Sequence, residues 1–158
     1  MKHKKTKKSK KVFVQETPQP KISVCLITKD EEENIERCLR SVKGIADEII
    51  VVDTGSKDRT VDIAGRYTDK IYFHPWNDSF SEARNHYLKY AKGDWIFQID
   101  ADEELVKEDI PRLREALQDR TIDAVMVEIF SRLKSGKSES VHCVERIFRN
   151  NGAIHYEG

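Results

Sequence analysis

Residues 93–104 read Gly-Asp-Trp-Ile-Phe-Gln-Ile-Asp-Ala-Asp-Glu-Glu. The run from Trp95 to Ile99 passes without a break into Asp100-Ala101-Asp102-Glu103-Glu104. A short apolar run bounded in this way reads as a strand covered on both faces, since a half-solvated strand alternates. The same shape occurs twice upstream. Ile22, Val24, Leu26 and their neighbours lead into Thr28-Lys29-Asp30, and Ile49 to Val52 lead through Asp53 into Thr54-Gly55-Ser56. Helical spacing fills the gaps: Ile35, Cys38, Leu39 and Val42, then Val61, Ala64 and Tyr67, then Phe80, Ala83, Tyr87, Leu88 and Ala91. With a short strand at Lys70 to Phe73, the order is βαβαβαβ. This predicts an α/β domain with a mostly parallel sheet flanked by helices.

Local signals set the expected boundaries. Asp30 and the three glutamates after it suit a helix N-terminus, where negative charge meets the positive dipole end. Gly44 and Gly93 read as helix stops and Ser56 as an N-cap. A helix is expected near Ile110, Leu113 and Leu117, with Pro111 in its first turn. The pattern then becomes β-rich. Strands are expected at Ala124 to Phe130 and Val141 to Phe148 around a Ser135-Gly136 turn. Asn151-Gly152 reads as a hairpin signal before a strand at Ala153 to Tyr156.

Composition adds an asymmetry. The chain has 158 residues, 35% of them charged, with a net charge of zero. Residues 1–20 hold seven lysines and one glutamate, against 21 basic and 27 acidic residues in the remainder. Residues 1–20 are therefore expected to be a disordered Lys-rich tail ending in the linker Thr17-Pro18-Gln19-Pro20, and residues 21–158 the domain. Such a tail suits either a solvated role or contact with an anionic membrane surface, without specific nucleic-acid readout. No apolar run approaches the ~18 residues of a membrane span. No apolar stretch follows the N-terminal charges as it would in a signal peptide. Cys25, Cys38 and Cys143 lie far apart and suggest neither a zinc site nor a disulfide framework. A cytoplasmic setting, membrane-peripheral if the tail binds lipid, is the expectation.

In open α/β sheets ligands bind beyond the carboxyl ends of the strands. Asp100 and Asp102 stand at such an end, separated by one small residue. Two hard oxygen donors at that spacing suit Mg²⁺ or Mn²⁺ with a diphosphate completing the shell. The alternative is a solvated acidic loop capping the next helix. Asp53 reads either as an acceptor for a base or ribose or as an N-cap. Arg84 reads either as a phosphate partner or as a side chain snorkelling beside the core. Gly136-Lys137-Ser138 lacks the earlier glycine and the strand–loop–helix setting of a phosphate loop.

Four segments together resemble family 2 glycosyltransferases: ISVCLITKDEEE (22–33), EIIVVDTGSKDRT (48–60), FSEARN (80–85) and GDWIFQIDADEE (93–104). The bacterial subgroup that carries this domain at the N-terminus, sometimes ahead of helical repeats, is the nearest likeness. The resemblance implies a GT-A fold, Rossmann-like with a β-rich C-terminal extension. It also implies an inverting, metal-assisted transfer of a sugar, hexosyl in type, from a nucleotide diphosphate sugar, by family habit a UDP-sugar, to an unknown acceptor. It places Thr28, Asp30, Glu31, Asp53, Arg84 and Asp100 at the nucleotide sugar, and Asp100 and Asp102 at Mg²⁺ or Mn²⁺. Arg146 and Arg149 match a later family segment. The catalytic base is expected late in the domain, with Glu157 the candidate or the true base beyond Gly158. A domain incomplete at its C-terminus is therefore expected, and the alternative function is a catalytically silent nucleotide- or metal-binding module or a fragment without transferase activity.

Overall fold

The computed structural model describes residues 18–132 and 139–157. The Lys-rich segment 1–11, the Ser135-Gly136 turn and Gly136-Lys137-Ser138 lie outside them. In chain order the elements are β1 (Ile22–Thr28), α1 (Ile35–Val42), β2 (Glu48–Asp53), α2 (Thr60–Ala64), β3 (Ile71–Phe73), α3 (Phe80–Leu88), β4 (Trp95–Gln98), α4 (Ile110–Ala116), β5 (Ala124–Arg132) and β6 (Glu139–Arg149). They form a six-stranded sheet of order β3-β2-β1-β4-β6-β5. The β3–β2–β1–β4 part is parallel, while β6 runs antiparallel to both β4 and β5. The expected α/β class and the antiparallel extension are both present.

Both faces of β1, β2 and β4 are covered, which is why these strands are mainly apolar. Val24, Leu26, Ile49, Val51, Trp95 and Phe97 face one way and pack with Ile35, Leu39, Ile63, Leu113 and Leu117 from α1, α2 and the α4 region. Cys25, Ile50, Val52 and Ile96 face the other way and pack with Tyr87 of α3. Trp95 is fully buried, and its indole N–H donates to the Leu117 carbonyl at 3.1 Å. This ties α4 to the sheet.

Several local expectations are corrected. Gly93 does not stop α3, whose C-cap is Lys89. Gly93 is required because β1 passes too close for a side chain: a Cβ there would sit 2.6 Å from the Ser23 nitrogen. Gly44 follows α1 without the positive φ of a left-handed cap; among the described glycines that conformation belongs to Gly55 and Gly152. Ala153 to Tyr156 is not a strand. After Gly152, at φ +76°, the chain folds back onto α3, where Asn85 grips Tyr156 at both its N–H and its carbonyl, each at 2.9 Å. An asparagine amide can donate and accept at once, so it replaces the strand partner that the hairpin signal implied.

Sheet order sets the position of the site. From β1 the chain moves to β2 and β3 on one side, then crosses to β4 on the other. The carboxyl ends of β1 and β4 therefore flank the point where the winding reverses, with the end of β2 next to that of β1. The crevice at such a point is where open α/β sheets accept ligands.

Candidate active site

On one side of the crevice, Thr28 and Asp53 are register partners at the ends of β1 and β2. Both are buried. The Thr28 carbonyl accepts from the Thr54 N–H at 2.9 Å and hydroxyl at 3.1 Å, but the Thr28 hydroxyl is buried without a partner. The Asp53 carboxylate accepts from the Gly55 and Ser56 N–H groups at 3.1 and 3.2 Å and from the Ser56 hydroxyl at 2.5 Å. Gly55 completes this tight turn at φ +111°. Asp53 is thus not the N-cap of α2, and neither is Ser56. That helix begins at Thr60, whose N–H is held by Asp58 at 2.9 Å.

The acidic run 30–33 stands immediately ahead of α1, at its N-terminus as expected, but none of its carboxylates caps the helix. Asn34 occupies the N-cap without a side-chain bond. The run instead fastens the β1 loop to the β2 loop. The Asp30 N–H donates to the Ser56 hydroxyl oxygen at 2.9 Å, and the Asp30 carboxylate accepts from the Lys57 N–H at 2.7 Å. Glu31 and Glu32 donate their N–H groups to Thr60 and Asp58 at 2.7 and 3.0 Å. The Glu31 carboxylate turns to Asn34 at 2.9 Å. Asp30 holds φ +54°, a costly conformation for a residue with a Cβ, and this double fastening offsets the cost. Asp30 and Glu31 therefore meet the rim as its fasteners.

On the other side, β4 ends at Gln98 and the chain turns at Asp100, whose carbonyl accepts from the Glu103 N–H at 3.0 Å. Arg146 reaches this turn from β6. Its Nη2 contacts Asp100 Oδ2 and Glu103 Oε1, both at 2.7 Å. The second Glu103 oxygen accepts from the Asp100 N–H at 2.9 Å. Burial opposes the Arg146 charge, but pairing with Asp100 and Glu103 outweighs it and raises the guanidinium pKa. Glu103 is raised as well, chiefly by burial, with the Asp100 N–H and Arg146 working against the rise. Cys38 lies beneath the turn, its thiol 3.4 Å from the Asp100 carbonyl. Burial, and then the surrounding carboxylates led by Glu103, push that thiol up to about 12, so it stays protonated and inert.

Two cations meet at Gln98. The hydrogen-bond network orients its amide oxygen towards Arg146 Nη1 at 2.6 Å and Arg84 Nη2 and Nε at 3.3 Å, with its NH₂ donating to the Tyr156 hydroxyl at 3.1 Å. Arg84 also lies over the rings of Phe80 and Tyr156, at 5.6 and 5.7 Å. Among the described residues Arg84 has no carboxylate partner. It is a cation held by a neutral amide and two aromatic faces, so its charge remains free for an anion, which favours the phosphate alternative over snorkelling.

A divalent cation such as Mg²⁺ or Mn²⁺ needs several hard oxygen donors. No group of three or more His, Cys, Asp or Glu residues among those described is arranged to hold one. Asp100 Oδ2 is engaged by Arg146. Asp100 Oδ1 and the exposed Asp102 carboxylate have no partner among the described residues. Free oxygens on two carboxylates fit Mg²⁺ or Mn²⁺ when a diphosphate supplies the remaining oxygens. Glu157 is exposed, and nothing among the described residues ties its carboxylate to this turn.

Sequence reasoning missed Gln98, Glu103 and Tyr156 as parts of the site. Gln98 left a signal, being a polar residue inside the apolar run Trp95 to Ile99. Glu103 and Tyr156 left none. One stood in an acidic cluster and the other in an expected strand.

The profile of glycosyl transferase family 2 matches residues 23–152. The chain is 40% identical over 136 residues to a TPR repeat-containing protein of Synechococcus elongatus, covering 86% of this chain and 33% of that protein. It is 35% identical over 144 residues to the prophage-derived glycosyltransferase SunS of Bacillus subtilis, covering 88% and 33% respectively. The chain thus spans about a third of the length of these relatives. Among solved structures, residues 1–349 of TarS from S. aureus superpose with a TM-score of 0.62 at 20% identity, covering 87% of this chain and 50% of that 1–349 segment. Glucosyl-3-phosphoglycerate synthase of M. tuberculosis, in complex with Mn²⁺, UDP and glucosyl-3-phosphoglycerate, gives 0.55 at 26% identity, covering 66% and 42%. The fold shared with these neighbours is the expected GT-A arrangement.

Proposed function

The chain belongs to the family 2 glycosyltransferases, and from that premise we propose that it forms the donor-binding part of an enzyme moving a sugar, hexosyl in type, from a UDP-sugar to an acceptor with inversion. One observation carries the reading. The ends of β1 and β2, with Thr28 and Asp53, face the β4 turn, with Asp100 and Asp102, across the crevice where the sheet reverses. Two arginines stand beside that turn.

The roles follow from the chemistry of each group. Thr28 keeps a buried hydroxyl free for a base. Asp53, held rigid by its turn, accepts from the base or ribose. Asp30 and Glu31 keep the rim in shape for them. Arg84 faces the diphosphate with an unneutralised charge, worth most where water is excluded. Asp100 serves the ribose and, with Asp102, holds Mg²⁺ or Mn²⁺. When bound, that ion supplies positive charge against the diphosphate leaving group. In an inverting displacement the acceptor oxygen bonds to the anomeric carbon as the bond from that carbon to the phosphate oxygen breaks, and a carboxylate takes the acceptor's proton. Glu157 is the carboxylate proposed for that proton. The crystallised relation to UDP and Mn²⁺ of the mycobacterial synthase, at 26% identity, supports the choice of uridine and of a metal. The setting proposed is cytoplasmic.

Calorimetric titration of the chain with UDP, with and without Mn²⁺, tests the reading. Metal-dependent binding is expected. Absence of binding to UDP, GDP and dTDP alike would overturn it. Metal-dependent binding without donor-dependent product would favour the silent binding module.

A further inference from the structure

Glu103 closes a ring around Asp100. One of its carboxylate oxygens accepts the Asp100 backbone N–H at 2.9 Å, and the other holds Arg146 Nη2 at 2.7 Å. The same Nη2 holds Asp100 Oδ2 at 2.7 Å. Backbone and side chain of Asp100 are thus both referred to one residue. The Arg146 side chain is 12% exposed and that of Glu103 22%, so water competes weakly for these bonds. The arrangement is not a favourable resting place for a guanidinium on its own account, because Arg146 Nε is buried without a partner. Buried ion pairs contribute little net stability compared with apolar packing. What this ring does provide is a single direction for the Asp100 carboxylate, with Oδ2 turned inward and Oδ1 left for ligands.

We propose that Glu103 is a positioning residue for Asp100, acting through the Asp100 amide and through Arg146. It rests on the donor-site reading above. Removing the Glu103 carboxylate leaves the Asp100 N–H without its acceptor. It also leaves Arg146 to draw on Asp100 alone, pulling the carboxylate inward and away from a cation. Glutamine replaces one acceptor oxygen by an NH₂, so it preserves one of the two contacts and not both.

The test uses the 158-residue chain, UDP with and without Mn²⁺ as probe, and thermal melting as the check on folding. Residues that orient metal-binding groups change metal affinity by about 10–100-fold when removed. Glu103→Ala is expected to weaken Mn²⁺-dependent UDP binding by about tenfold or more and metal-free UDP binding by clearly less, since there only the ribose contact of Asp100 is disturbed, with Glu103→Gln intermediate. A purely structural role would lower the melting temperature and weaken both modes of binding to the same degree, and that result would overturn the proposal. So would a folded Glu103→Ala chain with wild-type Mn²⁺ dependence. Should Glu103→Ala fail to fold, Glu103→Gln gives the same comparison, and unchanged Mn²⁺ dependence there refutes the proposal. Wild-type binding that ignores Mn²⁺ removes the metal reading itself and this proposal with it.

Discussion

Asp53, Asp100 and Asp102 all follow apolar strands, yet their carboxylates are used differently. Both Asp53 oxygens accept from its own turn, through Gly55 and Ser56, with lone pairs left over for a further donor. Asp100 spends one on Arg146. Asp102 is exposed and has no partner among the described residues. Exposure makes Asp102 dispensable for folding and leaves its carboxylate open to a cation. Asp102→Ala is therefore expected to leave the melting temperature unchanged and to weaken Mn²⁺-dependent UDP binding about tenfold or more, read by titration calorimetry. Undiminished metal dependence would exclude Asp102 as a ligand. The Asp100–Asp102 spacing was legible in the sequence, because two carboxylates past a strand end are a local pattern. The engagement of Asp100 by Arg146 was not, since the two are 46 residues apart.

At the scale of elements, the opposite end of the sheet is drawn together by Glu48, the first residue of β2. It accepts from the Ser23 hydroxyl at 2.5 Å, the Lys92 N–H at 2.6 Å and the Gly93 N–H at 3.2 Å, and pairs with Lys70. One carboxylate thereby joins β1, β2 and the segments leading into β3 and β4. Burial raises its pKa, but the bonds from Lys70, Ser23 and the Lys92 N–H prevail and the net shift is downward. A carboxyl depressed in the folded state adds stability above its unfolded pKa, near 4.3, and loses it as pH falls through the folded value. Melting temperature is thus expected to drop as pH is lowered from about 5 to 3, and to drop less steeply in Glu48→Gln. Equal slopes for the two chains would show that Glu48 does not carry this part of the acid response. The strands themselves were readable from unbroken β-branched runs. Helix ends were less so: Gly93 looked like a stop signal, while the reason for glycine there is the approach of Ser23 from a distant strand.

For the whole molecule, the contrast lies between a closely packed α/β body and less covered extensions. β4 pairs with β6 only through Ile147, Phe148 and Arg149. The rest of the β5–β6 ladder runs on past it, with Met126, Phe130 and Val141 exposed. No helix of the described residues is long and apolar enough to cross a membrane. Residues 1–20 carry seven lysines and one glutamate. We propose that this tail meets an anionic membrane surface. Sedimentation with phosphatidylserine vesicles is expected to show binding that fades as salt rises from about 0.05 to 0.5 M and disappears on deleting residues 1–11. Salt-independent binding, or binding retained by the deleted chain, would rule the tail out.

The sequence by itself determined the six strands β1 to β6, the cover on both faces of β1, β2 and β4, and the three polar clusters at strand ends, though it also implied a strand at Ala153 to Tyr156 that does not form. Those properties are written in short-range periodicity, because burial repeats with the geometry of the local backbone. Tertiary structure alone decided which polar groups meet. Ser56 joins Asp53 to Asp30, Glu103 and Arg146 enclose Asp100, and Asn85 receives Tyr156 because sheet order and register bring distant positions together. A charged or amide side chain carries the same composition whether it faces water or a partner. Its role is set by the partner's position, which only the folded chain supplies.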